Sequence, residues 1–110
     1  MKDQKEICKK FETMPFPCNG KDKLGIAIDT IGKLPINGLR HMPEKGTSGW
    51  YIWCGEELSD SPDFFNPIHV EHIEKYLPNV NQYLLLPPGY RFLITNKYED
   101  VWYDPQLTTV

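Results

Sequence analysis

The sequence predicts an α+β domain built on a mainly antiparallel sheet of about five strands. Three observations carry that expectation. Apolar residues alternate with a two-residue period near 24–28, 49–56 and 90–95, the period of a strand with distinct faces. Short helical stripes come before the first of these runs and between the second and third. Ten prolines and eight glycines keep every element short. The 110 residues suit one domain, residues 1–110, large enough to bury a core without metal or disulfide staples.

Taken in order, Ile7, Cys8 and Phe11 share one face of a short amphipathic helix over residues 3–13. Asp3 is its expected cap, and Pro15 and Pro17 forbid its continuation. Asn19-Gly20 marks a turn, and Leu24 to Ile31 reads as a strand with Leu24, Ile26 and Ile28 on one side. Ile36 to Met42 reads as a second strand, interrupted by Asn37-Gly38, and Pro43 to Ser48 as a turn. Gly49 to Glu56 is the clearest strand. Trp50, Ile52 and Cys54 face one side and Tyr51 and Trp53 the other, so the expected strand is central and covered on both faces. Leu58 to Asn66 reads as an ordered loop. Asn66 then caps a helix with Pro67 in its first turn and Ile68, Val70, Ile73 and Leu77 as its stripe. A second short helix is capped by Asn79. Tyr90 to Thr95 and Asp100 to Tyr103 form a C-terminal hairpin, with Phe92 in the core, and Asp104-Pro105 ends the fold.

The formal charge of −3 argues against a nucleic-acid partner and allows a basic protein partner. No apolar run approaches the ~20 residues needed to span a bilayer, and Met1 to Lys10 lacks the apolar centre of a signal peptide. A cytoplasmic location without membrane contact is therefore expected. Cys8, Cys18 and Cys54 are too few and too irregular for a secreted disulfide framework. Reduced thiols are the simpler reading, and the sequence leaves a Cys8–Cys18 bridge open.

Several groups could carry chemistry. His69 and His72 have a spacing that places both on one side of a helix, where Cys54 or Asp63 would complete a metal site. Two histidines are not a site, so ordinary surface histidines, with no metal and no cofactor, are favoured. Glu56, Glu57, Asp60 and Asp63 could serve as acid–base groups with His69 or His72 in a small hydrolase. They could equally form a small-molecule or ion-binding module. The favoured reading is a solvated acidic loop that meets a partner. Cys54 lies inside an apolar strand, which suits core filling better than nucleophilic catalysis. Arg40 and Arg91 are the only arginines and are expected to pair with Glu56, Glu57 or Asp100. Nucleotide-binding and nucleophile-elbow patterns are absent.

One longer pattern stands out. Leu39-Arg40-His41-Met42-Pro43-Glu44 is followed by Ser48-Gly49-Trp50-Tyr51-Ile52-Trp53-Cys54-Gly55-Glu56-Glu57, and later by Pro87-Pro88-Gly89-Tyr90-Arg91-Phe92. Over residues 24–95 this resembles the thirty-third class of bacterial polymorphic-toxin immunity proteins. That family has an Arg-bearing strand, a proline turn, and a Ser-Gly-Trp strand ending in Gly-Glu or Gly-Asp. The segments at Phe64–His69 and Tyr98–Trp102 depart from the pattern. The resemblance implies a non-catalytic protein that neutralises a cognate toxin. Tight complexes combine aromatic anchors with a polar rim, so Glu56, Glu57, Asp60, Asp63, Phe64 and Phe65 are the expected partner-facing residues.

Overall fold

The computed structural model describes residues 4–59 and 61–108. The expected cap Asp3 and the candidate Asp60 lie outside the described residues. Helix α1 (Gln4–Lys10) buries Ile7 and Cys8. It ends earlier than expected because Glu12 takes a left-handed conformation (φ 57°). That lets Thr13 N–H donate to Cys8 O and Glu12 N–H to Lys9 O, the paired closure that satisfies the last carbonyls of a helix.

Six strands follow: β1 (Lys23–Ile26), β2 (Ile36–Arg40), β3 (Thr47–Cys54), β4 (Asn66–His69), β5 (Tyr90–Ile94) and β6 (Glu99–Tyr103). They form one sheet in the order β4-β1-β3-β2-β5-β6. Every neighbouring pair is antiparallel except β1 with β3. The α+β class with a mainly antiparallel sheet therefore holds, with six strands rather than about five.

One face of the sheet carries the main core. Trp50, Ile52, Cys54 and Phe92 are buried there with Leu24 and Ile26. α1 and two 3₁₀ helices, Val70–Lys75 and Pro78–Tyr83, contribute Ile7, Ile73, Val80 and Tyr83 to the same cluster. Gly38 is required in β2 because a Cβ there would overlap the Phe92 ring on the neighbouring strand. The opposite face is only partly covered. Ala27, Leu39 and Trp53 are buried under Phe64, Phe65 and Leu107, while Tyr51 and Trp102 remain exposed. β3 is interior to the sheet, as its composition suggested, but its second face is open at Tyr51.

Several boundaries differ from the periodicity. The first strand stops at Ile26 because Thr30 folds back on it. The Thr30 hydroxyl donates to Ala27 O at 2.7 Å and accepts from Cys54 N–H at 2.9 Å. This sets a 3₁₀ turn at Ile28–Thr30. Asn66-Pro67 does not open a helix. It lies in β4, an edge strand, where a proline nitrogen without hydrogen is tolerated. Asn37-Gly38 does not interrupt β2. The chain also continues in order past Asp104-Pro105, through a 3₁₀ turn at Pro105–Thr108 that places Leu107 on the sheet. All three cysteines are free thiols.

Candidate functional site

The distinctive Ser48-Gly49-Trp50 segment opens β3, and its local structure explains its composition. The register against β1 shifts between Lys23 and Gly25, so this stretch is a bulge. Gly49 sits at φ 89°, and a Cβ there would overlap the carbonyl of His41. The Ser48 hydroxyl donates to Lys23 O at 2.9 Å and accepts from Trp50 N–H at 3.3 Å. The Trp50 indole N–H donates to Leu84 O at 3.1 Å.

Arg40 completes this end. It is 1% exposed and is held by carbonyls, not by the expected Glu56, Glu57 or Asp100. Its Nε donates to Ser48 O at 2.8 Å, and its Nη1 donates to Phe16 O and Leu86 O, each at 2.8 Å. Its guanidinium also stacks near Phe16 and Trp50. Burial lowers its pKa, opposed by the nearby Cys18 and Asp22. Arg91 pairs with Asp104 at 3.2 Å, again not with the expected partners. The Arg40 and Ser48–Trp50 part of the family pattern is thus a buried junction, bonded to carbonyls of residues 16, 23, 84 and 86.

The other end of β3 is different. Gly55, at φ 91°, turns the chain out of the sheet, and Asn37 Nδ2 holds its carbonyl at 2.8 Å. Beyond it, two loops line an open groove of about 730 Å³. The 30–34 loop contributes Lys33 and Leu34, and the acidic loop contributes Glu56, Glu57, Leu58 and Phe64. Glu56, Glu57 and Asp63 are exposed. Among the described residues none of the three carboxylates takes part in an ion pair. Leu34 and Leu58 are each 49% exposed, and Ile31 is 37% exposed on the same turn as Lys33. The acidic loop is ordered by its own serines: Asp63 N–H donates to the Ser61 hydroxyl and Ser61 N–H to the Ser59 hydroxyl.

The two phenylalanines divide their work. Phe64 is half-buried and borders the groove. Phe65 packs edge-on against Tyr51 and Trp53, with ring centroids 5.1 and 6.2 Å away, and so ties the loop to the second face of the sheet. Ile31, Lys33, Leu34 and Leu58 were missed by sequence reasoning. Ile31 reads as the end of the first strand and Leu58 as the start of a loop, Lys33 and Leu34 lie in the connection before Pro35, and which of these stretches meet is set by strand order.

The histidines lie elsewhere. His69 pairs with Lys23, and Lys23 pairs with Thr47 at the start of β3. Glu56 and Glu57 follow its far end, about five residue steps of unbulged strand or roughly 17 Å away. A hydrolase joining Glu56 or Glu57 to His69 or His72 is therefore not assembled. Cys54 is equally remote from the histidines. The residue is 2% exposed, and burial raises its pKa despite hydrogen bonds involving Thr30 and Gly32, which leaves an inert thiol. The third donor close to His69 and His72 is Glu71, not Cys54 or Asp63.

The model of the Imm33-like domain family matches residues 3–104. Neither the search of curated proteins nor the search of solved structures returned a match. The match spans nearly the whole chain, so the chain belongs to the Imm33-like domain family.

Proposed function

We propose that this member of the Imm33-like family is a non-catalytic immunity protein that binds and neutralises a protein toxin through the groove at the Glu56 end of β3. The family match carries the neutralising role. Groove composition supports the location: exposed aliphatic side chains lie beside carboxylates that have no ion-pair partner among the described residues. That combination suits a partner with a basic rim around an apolar contact, because complementary charge speeds encounter and desolvated apolar anchors hold the complex. The reading takes residues 1–110 as a single domain acting in the cytoplasm. It is supported by the single sheet and by the absence, among the described residues, of any helix long and apolar enough to cross a membrane.

The test is co-expression with the product of the neighbouring toxin gene, scored by growth, together with binding kinetics of the purified pair. Wild type restores growth. Reversal of charge at Glu56, Glu57 and Asp63 slows association about tenfold at low salt, and the difference shrinks as salt rises. Protection and binding that survive both this reversal and Leu34→Asp/Leu58→Asp would remove the groove from the proposal. A wild-type chain that fails to rescue any toxic neighbour would remove the function itself.

A further inference from the structure

We propose that His69, Glu71 and His72 form a binding site for a zinc-class divalent cation at the outer edge of the sheet. Their donor atoms all lie within 4.8 Å of one another. In a tetrahedral zinc site with ligand bonds of about 2.0–2.1 Å, donors stand about 3.3 Å apart. Rotamer adjustments of about 1.5 Å therefore close the triad around an ion. Two imidazoles and one carboxylate suit zinc and its late transition-metal neighbours, not magnesium or calcium, which prefer all-oxygen shells.

The backbone under these three residues is already fixed. His69 is the last residue of β4 and is paired with Lys23. Val70 N–H donates to Asp22 O at 2.8 Å, and Glu71 N–H donates to Gly20 O at 3.0 Å. Val70 and Ile73 anchor the following turn in the core. An ion therefore meets donors whose main chain needs no ordering, which lowers the entropic cost of binding. His72 Nε2 already lies 3.9 Å from Glu71 Oε2. Lys21 approaches the same oxygen at 3.8 Å, but its side chain is 79% exposed and can return to water. A hollow of about 390 Å³, lined by Lys23, Pro67 and Ile68 with both histidines, leaves room for water or a fourth donor.

This inference is independent of the toxin-binding proposal, because the triad and the groove lie at opposite ends of β3. The test titrates the full chain with zinc chloride by calorimetry and with cobalt(II) by visible absorption. One zinc per chain is expected, with tetrahedral cobalt bands and no thiolate charge-transfer band. Loss of a mere outer-shell partner costs about 10–100-fold in metal affinity, so His69→Ala and His72→Ala are each expected to weaken binding at least tenfold, with circular dichroism unchanged. No saturable binding would overturn the proposal, as would binding unchanged in the double variant His69→Ala/His72→Ala. So would zinc lost on Cys18→Ser instead, since Cys18 is the one thiol that is not fully buried.

Discussion

The two ends of β3 obey opposite physical rules. At the Ser48 end, Arg40, Ser48, Gly49 and Trp50 are buried, and their polar groups are engaged with carbonyls from residues 16, 23, 84 and 86. At the Glu56 end, exposed carboxylates and aliphatic side chains face a groove, and the loop is held mainly by hydrogen bonds within itself. The same strand therefore joins a region built for stability to a region whose groups remain available. Buried polar groups cost free energy unless paired, so the first end tolerates little change. Exposed charges interact weakly with their own fold and tolerate substitution.

Substitutions break or sharpen this contrast in a definite order. Arg40→Leu has the largest expected effect, about 4 kcal/mol of lost stability, because it leaves several buried carbonyls without donors. Chemical denaturation would show it as a large drop in midpoint at unchanged slope. Gly49→Ala comes next at about 3 kcal/mol, since it combines an unfavourable φ with overlap on a backbone carbonyl that cannot move aside. Gly55→Ala meets a similar φ, but its Cβ would approach only the flexible stem of Lys33, at 3.2 Å. A smaller cost of about 1–2 kcal/mol is expected, and equal costs at Gly49 and Gly55 would contradict the contrast. Smallest of all, charge reversal at Glu56, Glu57 and Asp63 changes stability by less than about 0.5 kcal/mol while altering association with the partner. A large stability loss there would show that the acidic loop is part of the fold's support.

Much of the sheet was legible because a strand with a buried face repeats every two residues. Trp50, Ile52 and Cys54 announce β3, and Tyr90, Phe92 and Ile94 announce β5. β4 was not legible. Asn-Pro before a partly apolar stretch is a good helix start, and four residues on a sheet edge provide too few positions to show alternation. The end of β1 was hidden for a different reason: Ile28 continues the alternation, but the Thr30 side chain turns the backbone away. At the candidate groove, the acidic loop was visible as charge, whereas its opposite wall at Lys33 and Leu34 was not.

By itself the sequence determined the α+β class, the sequence family and the acidic character of the loop after β3, because periodicity, pattern and charge are properties of short stretches. Tertiary structure alone decided what each polar residue meets. Insertion of β3 between β1 and β2 brings Arg40 to distant carbonyls, carries Glu56 and Glu57 toward Lys33, and leaves His69 and His72 with Glu71 at the far end. Arg40 stands 24 and 46 residues from its partners Phe16 and Leu86, and only strand order and register, set by burial of the whole sheet, bring such groups together, whereas the cluster of His69, Glu71 and His72 is local in sequence.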